Sequence, residues 1–387
     1  MTTGRSLRIA LFTGNYNYIK EGANQALNQL VGYLEGCGHE VRVYSPVTDT
    51  PAFTPQGTLI PVPSITLPVR NEFQLALGLP RSIRSDVRRF APDLIHVATP
   101  DILGTRAETF AKRLNIPIVA SLHTRFETYL EHYGLGWLRP AAEAHLKRFY
   151  TRADRVLAPT AGLVEEVKRL RGDDKVSLWG RGVDRDLFSP ERRDNPWRRA
   201  QEWSDETVVA LFLGRLVLEK GIDLFAETIR LLNARGHDVR ALVVGDGPAR
   251  ERLANIEGAI LTGHLQDEEL ARAVASADLM INPSTTEAFG NVVLEAMAAG
   301  LPVVSADAPS ARALIKNGQT GVLCRVQSAE AYANAATGLV SLPAERQAIG
   351  QAARTASGAY SWDAASRAAE AAYHRTLSSR VAATEPS

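Results

Sequence analysis

The sequence predicts an α/β protein built from two consecutive units, each a parallel sheet crossed by helices. Short apolar, β-branched runs alternate with longer amphipathic segments along the 387 residues, which is typical of parallel strands joined by helices. A polar, basic stretch at residues 189–205 separates two series of such runs. The length fits two domains at about 150 residues or more per domain.

Each series of apolar runs predicts six strands. In the first unit we expect them near residues 7–12, 41–45, 94–97, 116–122, 155–158 and 176–179. In the second unit we expect them near residues 207–213, 240–245, 259–262, 279–282, 302–305 and 320–323. The related runs GHEVR at 38–42 and GHDVR at 236–240 favour the same helix-to-strand turn in both units, with glycine at the helix end. We expect domains at 1–190 and 191–361, and a C-terminal helix within 362–387 that returns to the first domain.

Composition and charge exclude several classes of protein. The 44 Lys and Arg residues against 43 Asp and Glu give a net charge of +1, without the basic excess of a dedicated nucleic-acid binder. Cys37 and Cys324 stand far apart in the sequence, which excludes a disulfide framework and a thiolate metal cluster. The short polar start predicts no signal peptide, and no stretch reaches the roughly 18 apolar residues of a membrane span. We therefore expect a cytoplasmic protein that touches a membrane, if at all, from one side.

The stretch PSTTEAFGNVVLEAMAAG, residues 283–300, carries the strongest chemical signal. It follows a predicted strand, turns at a glycine and continues as a helix, with Glu287 at the helix start and Glu295 about 12 Å further along the axis. Free backbone amides at a helix N-terminus bind anions. These amides belong to Phe289, Gly290, Asn291 and Val292. Two carboxylates that flank an anion site suit a nucleotide-sugar, whose diphosphate lies between a sugar and a ribose.

A second run, GRLVLEKG at residues 214–221, stands where the first strand of the second unit turns into its helix. Arg215 offers a planar fork of donors and Lys220 a compact point charge, a complementary pair for a diphosphate leaving group. The alternative for each is a solvated loop cation, but the pairing at the carboxyl end of a strand favours function. Because open parallel sheets bind ligands at that end, we expect the ligand in a cleft between the two units.

These runs together resemble a known family. GRLVLEKG, TTEAFGNVVLEAMAAGLPVV and LWGRGVDRDLFSP are similar to the retaining nucleotide-sugar glycosyltransferases of the GT-B fold, of the family 4 type. SLHTRFETYLEHYGLG at 121–136 resembles the branch of GDP-mannose-dependent α-mannosyltransferases and sulfoquinovosyl-diacylglycerol synthases. The resemblance covers Leu7 to Trp362. It implies two Rossmann-like domains that face each other across a cleft, the first for the acceptor and the second for the donor.

The resemblance also implies roles for individual residues of the second domain. Arg215 and Lys220 would contact the donor diphosphate, and Glu295 would contact the ribose. Glu287, with the amides of the following turn, would hold hydroxyls of the transferred sugar. His264 and Leu265 fall where the nucleobase of the family's donor meets backbone amides.

In the first domain the resemblance singles out a strand end and a loop. His123 matches the histidine beside the donor sugar, with a core histidine as the alternative; two residues later the branch commonly has Asn and this chain has Arg125, which leaves the donor or acceptor preference open. The loop at 13–22 would approach the donor phosphates, with close backbone approach expected at Gly22. Asn15 and Tyr16 are candidates for acceptor or phosphate contacts, with an ordinary turn role as the alternative.

The run GDGPAR and the lack of certain metal-binding motifs limit the types of reaction that the sequence predicts. The run GDGPAR at 245–250 begins like a dinucleotide fingerprint but has Arg250 where the third glycine belongs, so it predicts a turn at a strand end and argues against a nicotinamide oxidoreductase. The sequence contains no HExxH or CxxC motif, so we expect metal-independent transfer without a cofactor. Cations and helix amides would then stabilise the departing diphosphate. The reaction that the resemblance implies is front-side substitution, in which the leaving phosphate helps to take the acceptor proton.

A basic amphipathic helix is predicted around residues 79–90. Arg81, Arg84 and Arg88 recur at helical spacing, and apolar residues recur on another face. Such a helix can lie on an anionic bilayer, or it can be a solvated helix packed on the sheet. We therefore hypothesise peripheral binding to the inner face of the cytoplasmic membrane.

The predicted function is transfer of a hexose from a nucleotide-sugar, preferably GDP-mannose, to a membrane lipid or lipid-linked glycan with retained configuration. One alternative is a glycolipid synthase that uses a UDP-sugar with glucose, glucuronate or sulfoquinovose. A non-catalytic nucleotide-sugar-binding protein is the alternative from another class. It would need Arg215 and Lys220 but has no reason to keep both Glu287 and Glu295.

Overall fold

The computed structural model describes residues 5–18, 21–67, 70–123 and 136–384. Within these residues the chain forms two compact units. The first unit takes in residues 5–123, 137–182 and 362–384, and the second takes in residues 183–361 together with Gly136. The first unit is therefore discontinuous in sequence, because residues 183–361 of the second unit are inserted before its last helix.

The strands are distributed over the two units as follows. The first unit contains β1 Arg8–Phe12, β2 Glu40–Ser45, β3 Thr58–Pro61, β4 Ser64–Leu67, β5 Arg70–Ala76, β6 Leu94–Val97, β7 Ile118–Ser121, β8 Arg155–Ala158 and β9 Val176–Leu178. The second unit contains β10 Val208–Leu213, β11 Val239–Val244, β12 Ile260–Gly263, β13 Leu279–Asn282, β14 Val303–Ala306 and β15 Val322–Cys324. The first unit has a parallel sheet in the order β3-β2-β1-β6-β7-β8-β9, and the second has one in the order β12-β11-β10-β13-β14-β15. Strands β4 and β5 form a separate antiparallel pair.

The helices connect successive strands. The first unit contains α1 Gly22–Gly36, α2 Arg81–Phe90, α3 Ile102–Arg113, α4 Arg139–Arg152 and α5 Ala161–Arg171. The second unit contains α6 Asn195–Ala200, α7 Ile222–Ala234, α8 Glu251–Ala254, α9 Asp267–Ala275, α10 Asn291–Ala298, α11 Pro309–Leu314, α12 Ala329–Ser341 and α13 Pro343–Ser357. The last helix, α14 Trp362–Thr384, belongs to the first unit. Among the described helices, none combines the length and the apolar character needed to cross a bilayer.

All twelve predicted strands are present, and three strands were missed. β3 is a half-buried, four-residue strand at the edge of its sheet and ends at Pro61, so it lacks the continuous apolar run that predicts a central parallel strand. β4 and β5 pair with each other outside the parallel sheet, where the alternation of strand and helix gives no signal. The expected helix-to-strand turn recurs in both units, because Gly38 and Gly236 adopt φ values of 86° and 88° after α1 and α7.

The core of the second unit lies on both faces of its sheet. All six residues of β10 are buried, and they belong alternately to two apolar clusters. Val209, Leu211 and Leu213 lie in one cluster, and their even-numbered neighbours lie in the other. Since successive side chains of a strand point to opposite faces, helices must cover both faces of this sheet.

The topology also fixes where a ligand can bind in each unit. In the second sheet β10 lies between β11 and β13, so the connections leave in opposite directions at the neighbouring carboxyl ends of β10 and β13. In the first sheet β1 and β6 have the same relationship. Such switch points are the binding crevices of open parallel sheets. The loops that follow β10 and β13 are the two runs that the sequence singled out.

Candidate functional site

The loops after β10 and β13 pack directly against each other in the second unit. Gly221, at the start of α7, has a left-handed φ of 71°. A Cβ atom at this position would lie 2.7 Å from Cβ of Pro283, which is closer than real Cβ atoms approach. Glycine at 221 is therefore required both by the backbone conformation and by the contact with Pro283.

This contact brings Lys220 and Glu287 together. The Lys220 ammonium donates a hydrogen bond to Oε1 of Glu287, and the pair is an ion pair whose side chains are 17% and 22% exposed. The sequence assigned the two residues to different parts of one ligand, a diphosphate and a sugar. The ion pair shows that the two side chains, the ammonium and the carboxylate, lie next to each other in the crevice.

The amino end of α10 completes this side of the crevice. Gly290 adopts φ 95° and ψ 55° at the N-cap, and its carbonyl accepts from the amides of Val293 and Leu294 at 3.0 and 3.2 Å. The amides of Asn291 and Val292 precede these bonds, so they belong to the group that a helix leaves without an intrahelical acceptor. The predicted anion site lies at these amides and at the positive end of the helix dipole, and the binding of an anion there stays a prediction.

The side chain of Phe289 lies in the core and not at the surface of the crevice. It is 5% exposed and belongs to the apolar core beneath α10. The ring lies edge-on to Tyr360, with centroids 6.1 Å apart, and the Tyr360 hydroxyl donates to the carbonyl of Ala313 at 2.7 Å. The ring therefore anchors the turn, and the predicted contact of the Phe289 backbone amide with the donor stays a prediction.

Two hydroxyls that sequence reasoning missed lie in the same loop. The side chains of Ser284 and Thr286 are 2% and 4% exposed, and their hydroxyl oxygens have no hydrogen-bond partner among the described residues. A buried hydroxyl without a partner costs about 1–3 kcal/mol. Oxygen atoms of a polar ligand would remove that cost. The signal in the sequence is the polar run STT directly before Glu287.

Arg215 lies in a loop that two further glycines support. A Cβ atom on Gly245 would collide with the carbonyl of Gly214, and one on Gly247 would lie 2.5 Å from the carbonyl of Leu216. The run GDGPAR is therefore a turn after β11, as predicted, and its glycines allow the backbone on either side of Arg215 to approach. Arg215 itself is half-buried.

Three further residues, Glu295, His264 and Leu265, were predicted to contact the donor. Glu295 is half-buried on α10, one turn before its end. His264 follows β12 with an exposed side chain, and Leu265 is half-buried against the core. Their predicted contacts with ribose and nucleobase stay predictions.

In the first unit, His123 lies just after β7 and belongs to a hydrogen-bonded chain. Its Nε2 lies 2.8 Å from Oγ of Ser121, and that oxygen lies 2.8 Å from Nε2 of His96. His96 Nδ1 lies 2.7 Å from the hydroxyl of Tyr373 on α14. On its other side, His123 Nδ1 lies 3.0 Å from Nη2 of Arg181. No pattern in the sequence predicts these contacts, whose partners come from β6, β7, α14 and the loop after β9.

Arg181 fixes the protonation of His123. A guanidinium can only donate, so His123 Nδ1 accepts and the single proton of the neutral ring sits on Nε2, towards Ser121. Burial, the Arg181 charge and His96 hold the pKa of His123 well below its usual value. Both ring nitrogens are thus occupied. The catalytic role that the resemblance implies for His123, beside the donor sugar, stays a prediction.

Asn15 and Tyr16, both predicted as candidates for acceptor or phosphate contacts, have different surroundings in the loop after β1. The side-chain amide of Asn15 is buried, and neither its oxygen nor its nitrogen has a partner among the described residues. Tyr16 is fully buried in the core of the first unit and donates to the carbonyl of Gln56 at 2.8 Å. Asn15 stays a candidate for ligand contact, whereas Tyr16 is a core residue. Gly22 is the first residue of α1, and Arg125 lies outside the described residues.

The predicted basic amphipathic helix is α2. Its apolar face, Ile83, Val87 and Phe90, is buried, while Arg81 and Arg88 are exposed and Arg84 is half-buried. Arg88 lies over the ring of Phe110, with Cζ 5.3 Å from the ring centroid. The helix is confirmed, and its contact with a membrane stays a prediction.

One group of side chains in the first unit has the composition of a metal site. The ligand atoms of His39, Glu370 and His374 all lie within 4.8 Å of one another. However, His39 Nδ1 accepts from the amide of Leu7 at 3.0 Å, and Nε2 lies 3.1 Å from Oε1 of Glu370. The proton must then sit on Nε2, which removes that lone pair from metal binding. The hydroxyl of Tyr33 donates to the other oxygen of Glu370 at 3.0 Å, so the group anchors α14 to α1 and β2.

Two family models match the chain. Residues 21–187 match the model described as Glycosyltransferase Family 4, and residues 194–356 match the model described as Glycosyl transferases group 1. The chain is 35% identical over 365 residues to a GDP-mannose-dependent alpha-mannosyltransferase of Mycolicibacterium smegmatis, a match that covers 92% of this chain and 94% of that protein. It is 32% identical over 369 residues to sulfoquinovosyl transferase SQD2 of Arabidopsis thaliana, which covers 92% and 71%.

Solved structures show the same fold. A sucrose-phosphate synthase from Thermosynechococcus elongatus aligns with a TM-score of 0.78 at 19% identity, over 97% of this chain and all of that chain. Anabaena Alr3699/HepE in complex with UDP-glucose aligns with a TM-score of 0.72 at 20% identity, over 96% and 100%. These likenesses confirm the predicted two-domain α/β fold of the GT-B type.

Proposed function

The chain belongs to glycosyltransferase family 4, and from this premise we propose that it transfers mannose from GDP-mannose to a membrane lipid or lipid-linked glycan with retained configuration. It is an enzyme that moves a sugar from an activated donor. The observation that carries the proposal is the crevice of the second unit. There the Lys220–Glu287 ion pair lies between the ends of β10 and β13, in the loops that lead into α7 and α10.

We propose that the diphosphate occupies the amino end of α10. The amides of Asn291 and Val292 would donate to its oxygens, and Arg215 and Lys220 would balance its charge. Glu287 would accept from hydroxyls of the sugar, and Glu295 from those of the ribose. Ser284 and Thr286, whose buried hydroxyls lack partners among the described residues, would turn towards the same polar ligand.

The resemblance to the retaining family implies the transfer step that we propose. The bond between the anomeric carbon and the diphosphate oxygen breaks, and a bond from that carbon to the acceptor oxygen forms on the same face. The acceptor proton passes to the departing diphosphate, so the enzyme needs no protonated side chain as an acid. Positive groups already in place at the leaving oxygen stabilise the charge that develops there, and we propose that they do so without a metal ion.

Mannose from GDP-mannose is favoured over UDP-sugars by the relatives. The named mannosyltransferase is matched along nearly its whole length, whereas the sulfoquinovosyl transferase extends well beyond the match. The second candidate is a UDP-sugar-dependent glycolipid synthase, favoured by that relative and by an alpha-monoglucosyldiacylglycerol synthase of Acholeplasma laidlawii, 24% identical over 82% of this chain.

For the acceptor we propose a lipid-borne hydroxyl reached from the inner face of the cytoplasmic membrane. The basic outer face of α2, with Arg81 and Arg88 exposed beside a buried apolar face, suits an anionic surface. The first unit would present the acceptor, with the unpaired side-chain amide of Asn15 as one contact.

A donor panel tests the proposal. The full chain is incubated with a membrane lipid extract and GDP-mannose, UDP-glucose, UDP-glucuronate or UDP-sulfoquinovose, and products are identified by mass spectrometry. GDP-mannose should give an extended lipid with an α-linked mannose. Glu287→Gln is the inactive reference, and Glu227→Gln, an exposed change on α7, is its matched control. A lipid product from a UDP-sugar alone would favour the second candidate.

A further inference from the structure

A basic depression lies between α2 and α3 in the first unit, apart from every residue assigned to the donor. Its volume is about 320 Å³, and its lining includes Arg84, Arg106 and Arg113 together with Phe110 and the exposed Leu77. Among its lining residues, all within the described part of the chain, none is acidic. A cavity with three guanidinium groups and no carboxylate is an electropositive site.

The spacing of the residues shows how the two helices build this site. Arg106, Phe110 and Arg113 recur at helical intervals on α3, so they share one face. Arg84 comes from the first turns of α2, and Leu77 lies in the segment that leads into that helix. Phe110 is buried at the base of this face. The two helices thus place three guanidinium groups around one cavity.

The acidic residues of α2 and α3 are not among the residues that line the cavity. Asp86, the one acid of α2, accepts from Arg42 and Arg89 and from the hydroxyl of Tyr44. Glu108, the one acid of α3, is buried beside Arg152, whose Nε lies 3.5 Å away. The charge at the cavity is therefore not balanced by its own helices.

Two further observations show that the site lacks a counter-charge. The Nε atom of Arg84 is buried with no hydrogen-bond acceptor among the described residues, which costs free energy that a nearby anion would offset. The hydroxyl of Thr109, also in the lining, already donates to the carbonyl of Thr105 and accepts from Arg152. The arginines, and not this hydroxyl, are the groups left to bind a ligand.

We propose that this cavity binds a phosphate group, carried either by a soluble phosphate ester or by the headgroup of an anionic lipid. Guanidinium forks match the paired oxygens of phosphate, and Arg88 over the Phe110 ring adds a fourth positive charge at the rim. Leu77, 61% exposed beside the cavity, would meet the apolar part of a lipid. The site does not depend on the transferase reaction, and it would fix one point of the first unit on a phosphate-bearing partner.

The test measures binding directly on the full chain. Inorganic phosphate and glycerol 3-phosphate are titrated by calorimetry, and co-sedimentation is measured with vesicles of phosphatidylcholine containing phosphatidylglycerol. The test variant is Arg106→Gln with Arg113→Gln. The control is Arg230→Gln with Arg235→Gln, which removes the same charge from exposed positions of the second unit. Thermal unfolding of both variants checks that they fold.

The site predicts at least a tenfold loss of phosphate affinity or of vesicle binding in the test variant, with the control unchanged. If the test variant loses affinity for both inorganic phosphate and glycerol 3-phosphate, a soluble phosphate ester is a sufficient ligand. If it loses only vesicle binding, the ligand is the lipid headgroup. Equal binding by the wild type and the test variant to every probe would overturn the proposal, as would a wild type that binds none of them. Because no sugar transfer is measured, that failure would leave the proposed mannose transfer untouched, whereas a wild type that binds no vesicles would also count against the membrane contact proposed for α2.

Discussion

The guanidinium of Arg181 lies 3.0 Å from Nδ1 of His123 and holds that ring neutral, with its proton directed at Ser121. Arg181 is itself anchored, because it donates to the carbonyls of Trp179 and Gly180 at 2.9 Å each. Its position is therefore set by the backbone after β9. The loop after β9 thus sets which nitrogen of His123, at the end of β7, carries the proton.

Replacing Arg181 with Gln should raise the pKa of His123. Burial is the larger cause of the lowered pKa and stays in the variant, so loss of the guanidinium should move the pKa upward without restoring its ordinary value. NMR of the His123 ring should show the ring gaining its proton at a higher pH in the variant than in the wild type. Arg171→Gln, at another buried arginine bonded to backbone carbonyls, is the control and should leave His123 neutral. A His123 that titrates normally in the wild type would contradict the assignment.

Replacing Glu287 with Gln should lower turnover by about 100- to 1,000-fold, the scale of losing one group that stabilises a transition state. Binding of nucleoside diphosphate should survive, because the amides of α10 and Arg215 are unchanged. Turnover by radiolabelled transfer and binding by calorimetry separate the two effects. If binding falls as far as turnover, Glu287 contributes only to the structure of the crevice.

Gly221→Ala tests the contact between the two loops. The new Cβ would stand 2.7 Å from Cβ of Pro283 in a left-handed conformation, so we expect a loss of about 1–3 kcal/mol in unfolding free energy and weaker donor binding. Gly236→Ala is the matched control, since Gly236 has a φ of 88° but open space around it. Backbone strain alone would affect both variants equally, whereas the clash should weaken donor binding only at 221.

Transfer should continue in excess EDTA. The positive groups that we propose at the leaving diphosphate are Lys220, Arg215 and the helix amides, so removal of divalent cations should change the rate by less than about twofold. The measurement is the initial rate with EDTA and then with added Mg²⁺. A rate that collapses in EDTA and returns with Mg²⁺ would refute metal independence.

Glu108 should make the stability depend on pH. Burial raises its pKa to about 8, opposed by Arg152 and Lys112, so between about pH 4.5 and 8 the folded state binds a proton that the unfolded chain has released. Unfolding free energy therefore falls as the pH rises through this range. Glu108→Gln should flatten the decline, measured as Tm between pH 5 and 8.5, at about 2–4 °C per kcal/mol. Glu40→Gln, at an exposed carboxylate of β2, should leave the decline unchanged.

The sequence predicted the parts of the site that lie close together along the chain. Glu287, Gly290 and Glu295 fall within one strand-turn-helix run, where spacing alone gives their order. It could not predict the contact of Lys220 with Glu287 or of Arg181 with His123, which are separated by 67 and 58 residues. Those distances depend on which strands become neighbours in the sheet. The run STT indicates polar side chains before Glu287, but it could not show that the hydroxyl of Ser284 is buried without a partner among the described residues, because burial is a property of packing.

The insertion of the second unit has a consequence for synthesis. On a ribosome, residues 183–361 leave the exit tunnel as one continuous segment, whereas the first unit is complete only after α14 has been synthesised. Ala369, Ala372 and Tyr373 fill the apolar cluster beside α1 and β1, and Tyr373 supplies the last hydrogen bond to His96. A nascent chain stopped before Trp362 would therefore carry a finished second unit and an open apolar groove on the first, a natural target for chaperones until translation ends.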